Sequence, residues 1–262
     1  MNDILCSTNL TTASESALRW ASAIATGSGQ GITLLHVLEK HERHGDLTEL
    51  KARVVAQAER FAGGINVRKE FPEGDPLKGI IAGSSQGHSL MVAGTHGPRG
   101  LRQSLFGADI LKLVRHVAVP SLVVQADSPA PVVRRILLPV AGHKDISTLL
   151  DAVCLLARGF GAEVQVFQVM RPGEDPSAQL VKNKAAMTAR FQAEKIPHRE
   201  ANVPSTVFSI GFAEQTIRYA QESGMDIIAI MAKASDEYRW IADAEKERLL
   251  MNGAHIPVLC AI

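Results

Sequence analysis

Short runs rich in leucine, isoleucine and valine recur along this chain, and between them apolar residues return every three or four positions. With the charged stretches that continue the same rhythm, they place strands near residues 3–7, 31–38, 65–71, 89–94 and 120–125, and again near 134–139, 162–169, 198–202, 225–231 and 256–261. Runs that stay apolar throughout, such as LMVAG and IIAIM, read as strands buried on both faces. The longer stretches with helical periodicity read as the helices that cover them. Strands alternating with helices in this way predict βαβ units and parallel sheets. Right-handed crossovers then favour an α/β fold with an open, doubly wound five-stranded sheet in each half, in the order 3-2-1-4-5.

Local signals agree with these boundaries. Thr12 and Glu15 have capping-box spacing at the start of the first helix, and Gly27-Ser28-Gly29 supplies its stop. In GDP (74–76), Asp75 is placed to cap a helix and Pro76 to occupy its first position. The segment ADSPAPVV (126–133) carries two prolines and reads as a linker between a unit at 1–126 and a unit at 134–262.

The two units are copies of one another. Residues 4–39 lie over 136–171 at an offset of 132 without a gap, so that Gly27 falls on Gly159 and Gly29 on Gly161. Further on, GHSLMVAG (87–94) lies over GMDIIAIM (224–231), and VAVPSLVV (117–124) over AHIPVLCA (254–261), at an offset of 137. A period this long is a whole domain, not a solenoid repeat. The copies part company after the fourth strand, where the first has GTHGPRGLRQSLFG (94–107) and the second MAKASDEYRWIADA (231–244). In a 3-2-1-4-5 sheet, winding reverses between strands 1 and 4, and ligands bind outside the carboxyl ends of those strands. The chemistry of the first half is therefore expected in STNLTT (7–12) and in the segment 94–109.

Bulk properties narrow the function classes. A formal charge of +1, from 28 basic and 27 acidic residues, gives no global field for nucleic acid or an anionic membrane. No apolar run is long enough to span a bilayer, and the N-terminal residues lack a signal-peptide pattern, so a cytoplasmic location is expected. Cys6, Cys154 and Cys260 sit apart in apolar stretches, without metal-ligand spacing, and read as buried reduced thiols.

Gly94, Gly97 and Gly107 stand between a strand and a helix, spaced G, two residues, G, nine residues, G. Glycine permits positive φ and lets backbone N–H groups approach a phosphate, and the following helix N-terminus attracts an anion. With GDP upstream and HVAVPSLVV downstream, this half resembles the universal stress protein family, and the whole chain is similar to a tandem member of it. The nucleotide-binding branch of that family carries G-x2-G-x9-G-(S/T) here. The resemblance implies an ATP, ADP or AMP site, with or without Mg2+, in which Gly94, Gly97 and Gly107 wrap phosphates and ribose and Val37 lies against adenine. Asn9 stands where the family has an aspartate, and Ala108 where a Ser or Thr would donate to phosphate. Asn9 can still donate and accept. Asp109 adds a carboxylate in the first helical turn, and Arg99 and Arg102 in the loop offset it. The resemblance also implies pairing through the last strands, SLVVQ (121–125) and PVLCAI (257–262), inside the chain, with a further homodimer left open.

In the second half, Met231, Ala234 and Ala244 replace the three glycines, Ala141 replaces Asn9, and Glu237 and Glu245 add negative charge. A degenerate site filled by Tyr238, Arg239 and Trp240 is expected there. His36 is read as a core histidine, His41, Glu42, His44 and Asp46 as solvated loop residues, and Lys112 and Arg115 as surface cations. His96 could serve as a general acid, but no carboxylate pair or nucleophile–base set accompanies it. The expected function is a nucleotide-binding stress-response module, not a turnover enzyme. A nucleotide-free partner-binding protein and a weak ATPase are the alternatives.

Overall fold

The computed structural model describes residues 2–95, 107–170, 173, 175–204, 211–233 and 243–262. The first half contains β1 (Ile4–Ser7), α1 (Thr12–Ser28), β2 (Ile32–Leu35), α2 (Leu47–Phe61), β3 (Val67–Glu70), α3 (Pro76–Ser84), β4 (Leu90–Thr95), α4 (Gly107–His116) and β5 (Ser121–Gln125). The second half contains β6 (Arg135–Pro139), α5 (Ser147–Phe160), β7 (Glu163–Met170), α6 (Ala178–Ala193) and β8 (His198–Pro204). It ends with α7 (Phe212–Glu222), β9 (Ile227–Met231), α8 (Asp243–Leu250) and β10 (Val258–Ala261). The strands form one ten-stranded sheet in the order β3-β2-β1-β4-β5-β10-β9-β6-β7-β8. The first half has the order 3-2-1-4-5, and the second half repeats it in mirror sequence along the sheet.

All pairings are parallel except the one at the centre. There β5 and β10 run antiparallel, with Leu122 opposite Leu259, flanked by Val123 opposite Val258 and Ser121 opposite Cys260. Leu122 and Leu259 are repeat equivalents, since 122 plus the offset of 137 is 259. A pair of equivalents facing each other is the mark of a two-fold axis, here an internal one. Gly27 and Gly159 meet near the same axis, where α1 crosses α5. A Cβ on Gly27 would lie 2.3 Å from the Gly159 carbonyl oxygen.

Two cores run the length of the sheet. On one face α1, α2, α5 and α6 cover Ile4, Cys6, Val92, Leu122, Ile136 and Leu259. On the other, α3, α4, α7 and α8 cover Leu5, Met91, Val123, Leu137, Ile228 and Val258. Successive strand residues alternate between the two cores, which is why the strands are apolar throughout. The outermost strands differ: β3 exposes Arg68 and Lys69, and β8 exposes Arg199 and Glu200. Charged edges of this kind discourage further strand addition.

The segment 126–133 is held, not free. The indole of buried Trp20 donates to the Pro129 carbonyl at 3.1 Å, and the Ser128 hydroxyl to the His255 carbonyl at 2.7 Å. Gln125 Nε2 donates to the Asn252 carbonyl at 2.8 Å, so both halves grip the connection. The capping box of α1 is shifted one residue from the sequence expectation. Thr11 is the N-cap and Ser14 its reciprocal partner, because Ser14 can reach the cap backbone while its hydroxyl also joins the β1–α1 turn. Asp75 caps α3 with Pro76 in its first turn, as GDP implied. Among the described residues, no helix is long and apolar enough to cross a membrane.

Candidate functional site

The switch point lies between β1 and β4, whose carboxyl ends open toward the β1–α1 turn and the first turn of α4. The turn is built from interlocking polar contacts. The Thr8 hydroxyl donates to Gln57 Oε1 of α2 at 2.6 Å and lies 3.1 Å from Ser14 Oγ. Leu10 takes φ of +61°, a costly conformation for a residue with a branched side chain, and its N–H donates to Thr8 Oγ1 at 3.1 Å. From the other side, the Thr11 N–H donates to Ser14 Oγ at 3.0 Å. The turn is thus fixed at both ends around Asn9, which is exposed and accepts the Thr11 hydroxyl on its Oδ1 at 2.6 Å.

Beneath the turn lies His36, at the end of the β2 segment and only 3% exposed. Its Nδ1 is 3.0 Å from the Thr8 carbonyl and must carry the proton, since that oxygen can only accept. Its Nε2 is 3.1 Å from Glu42 Oε1, and Glu42 Oε2 accepts the Glu39 N–H at 2.9 Å. Glu42 therefore supports the floor of the turn and is not a solvated loop residue. Asp46 caps α2 by accepting from the Thr48 and Glu49 N–H groups, which hold its carboxyl below the usual range. Among the described residues, no group of three His, Cys, Asp or Glu could hold a metal ion.

The sequence-predicted residues divide into three groups. Asn9 is at the mouth of the crevice, and Gly107 and Ala108 open α4. Gly94 and Val37 have packing duties. A Cβ on Gly94 would lie 2.3 Å from the Ala13 carbonyl oxygen, so this glycine admits the first turn of α1 against β4. Val37 is buried under α3, where a Cβ on Gly79 would come within 2.7 Å of it. Gly97, His96, Arg99 and Arg102 lie outside the described residues. Asp109 is exposed in the first turn of α4.

Gln57 and Ser14 escaped the sequence reading, and Thr8 was reached only as part of STNLTT. The available signal was Gln57 itself, a polar residue on the Val54, Gln57, Ala58 stripe that α2 buries. Arg115 is a second departure, because it does more than sit in solvent. Its guanidinium pairs with Asp243 at 2.6 and 3.1 Å and donates through Nε to the Ala232 carbonyl at 3.2 Å, bridging α4 to the second half.

The equivalent region of the second half satisfies itself. Asn183 of α6 donates to the Ala141 and His143 carbonyls at 2.6 and 2.8 Å, pinning the β6–α5 turn as Gln57 pins its counterpart. Glu245 occupies the repeat position of Ala108, and its carboxylate accepts the Ala213 N–H at 2.8 Å at the start of α7. Lys246, at the position of Asp109, is buried and donates to the Ala232 carbonyl at 2.7 Å. Burial pushes its amine down to about 8, and Arg115 adds to the effect. Tyr238, Arg239 and Trp240 lie outside the described residues.

Residues 1–125 match the family model described as the universal stress protein family. Over its first half, the chain thus has the sequence pattern of the universal stress protein family. Solved structures show the same fold over nearly the whole length. A universal stress protein from Archaeoglobus fulgidus is 18% identical, with 99% of this chain and 98% of that one covered at a TM-score of 0.70. A putative universal stress protein from Pseudomonas aeruginosa is 19% identical, with 99% and 92% covered at 0.61. The cytoplasmic domain of a prokaryotic cation chloride cotransporter is 12% identical, with 100% and 95% covered at 0.55. None of the curated proteins matches the sequence.

Proposed function

We propose that this protein is a regulatory module of the universal stress protein kind that binds one nucleotide per chain, in the crevice between β1 and β4 of its first half. The observation that carries the reading is the contrast between the two repeats. The first half keeps a glycine at the opening of α4 and an exposed, rigidly held Asn9 across the crevice. The second half places a glutamate at the same helix start and spends it on its own α7. The phosphate end of the ligand belongs at the first turn of α4, where N–H groups are unpaired and the helix dipole is positive. Adenine nucleotides are the class that the family resemblance implies. Affinity is modest, because Ala108 offers no hydroxyl and the loss of one hydrogen bond to a charged group costs about 1.5–3 kcal/mol. In this reading the module holds its ligand as a signal and does not turn it over.

The test is to denature the purified protein and identify what it releases by mass spectrometry. A nucleotide recovered at up to one equivalent per chain is expected. A second reading, a nucleotide-free partner-binding protein, is favoured by Gly94, whose glycine is explained by packing on α1 without any ligand. Release of no small molecule, with no response to millimolar nucleotide, would establish that reading instead.

A further inference from the structure

Thr8 is the fixed point of the β1–α1 turn. It is 6% exposed, and each of its polar groups is paired. The N–H donates to the Leu35 carbonyl at 2.9 Å, the hydroxyl donates to Gln57 Oε1 at 2.6 Å, and the carbonyl accepts His36 Nδ1 at 3.0 Å. The first contact continues the β1–β2 ladder and the second comes from α2. The third comes from beneath the turn and depends on Glu42. Nδ1 carries a proton for Thr8, so the contact of Nε2 with Glu42 Oε1 at 3.1 Å needs a second proton between them, since a bare ring nitrogen and a carboxylate oxygen both accept. Glu42 is itself fixed, because its other oxygen accepts the Glu39 N–H at 2.9 Å. A chain of contacts therefore runs from the loop after β2, through a buried imidazole, to the start of the turn.

The turn needs such anchors. Leu10, at φ of +61°, takes a conformation that residues with side chains keep only where their surroundings impose it. Its N–H is held by Thr8 Oγ1, so slack in Thr8 passes directly to Leu10 and to Asn9 between them. The second half is built without this chain of contacts. Gln168 is the repeat equivalent of His36, and Val140, the equivalent of Thr8, has no hydroxyl. Gly142 stands at the position of Leu10 and does not take positive φ, although a glycine could do so at little cost. The strained turn is thus particular to the half with the exposed Asn9, and there it is imposed on a residue that resists it. We infer that Glu42, acting through His36, is a positioning residue for the crevice, holding Thr8 and the strained turn in the arrangement that presents Asn9. The inference rests on the nucleotide reading of the crevice and adds the residues that govern its shape.

The test titrates ATP and adenosine monophosphate by calorimetry against the full chain and its Glu42→Ala, Glu42→Gln and His36→Leu variants, and follows the ring nitrogens of His36 by NMR. Glu42→Ala leaves Nε2 without a partner. It is expected to weaken binding roughly tenfold, the value of one hydrogen bond, and to let the ring proton spread over both nitrogens. A glutamine can donate its amide N–H to Nε2 and accept the Glu39 N–H on its oxygen, so Glu42→Gln keeps the contacts without the charge. It is expected to recover most of the affinity and to return the proton to Nδ1. His36→Leu fills the buried space with an apolar side chain and removes the tie, so the same loss of affinity is expected there even if Glu42→Ala fails to fold. Wild-type affinity in both Glu42→Ala and His36→Leu would overturn the positioning role while keeping the nucleotide reading. So would an equal loss in Glu42→Ala and Glu42→Gln with the His36 spectrum unchanged. Binding of neither nucleotide to the wild type at millimolar concentration would overturn both.

Discussion

At the scale of single residues, close backbone approaches and buried ionisable groups make the sharpest predictions. A Cβ on Gly27 would sit 2.3 Å from a carbonyl oxygen of α5, whereas one on Gly159 meets nothing nearer than 3.5 Å. Gly27→Ala is therefore expected to force the two helices apart and destabilise the protein by about 1–3 kcal/mol in urea titrations. Gly159→Ala, on the same axis, should be neutral or slightly stabilising through helix propensity. Lys246 makes a prediction about pH. Its amine falls from the usual 10.5 to about 8 on folding, so below pH 8 the fold bears the full cost of burying a charge. Between those values the unfolded chain keeps a proton that the native state has shed, and stability rises with pH. Thermal melts across that window should show the rise in the wild type and its disappearance in Lys246→Met. Cys6 and Cys260 are pushed up to about 12 by burial, so neither should react with a thiol reagent until the protein unfolds.

At the scale of elements, α4 joins the proposed site to the second half. Its first turn opens on the crevice, and Arg115 in its last turn holds Ala232 and Asp243, on either side of the segment that replaces the glycine loop. The side chain of its repeat equivalent, Asn252, stays within the second half. It caps α8 by donating to the Leu249 and Ile256 carbonyls and accepting the Ile256 N–H. The bridge thus runs in one direction only. Arg115→Lys keeps the charge and loses the fork, and a double-mutant cycle with Asp243→Asn should show a positive coupling that shrinks as salt is added. Additive effects at every ionic strength would mean that the pair is incidental.

Sequence pattern reached the elements more easily than the contacts between them. Apolar runs marked the inner strands and GDP marked α3, because those signals are local. The cap of α1 was displaced by one residue because Thr11, Thr12, Ser14 and Glu15 offer overlapping capping signals, and the β1–α1 turn chose among them. The packing role of Gly94 was not legible, because glycine has the same signature beside a phosphate as beneath a helix. Gln57 and Arg115 act over separations in sequence of 49 and 128 residues, which no local pattern encodes.

At the scale of the whole molecule, one sheet and two continuous cores join the halves, with Leu122 against Leu259 at the centre. The chain should accordingly unfold as a unit, with fluorescence from Trp20, which is tied to Pro129, reporting the same midpoint as circular dichroism of the whole. The symmetry of the backbone is not matched in the sites. In the first half Asn9 is exposed at the crevice, and the second uses Glu245, Lys246 and Asn183 on its own backbone. Nucleotide binding by one half is the central claim. It is tested most directly by the stoichiometry of a calorimetric titration with ATP and adenosine monophosphate, repeated on an Ala108→Glu variant that copies Glu245 of the second half into the first turn of α4. One nucleotide per chain, lost in the variant, is the result expected. Two per chain, or binding that survives the substitution, would contradict it.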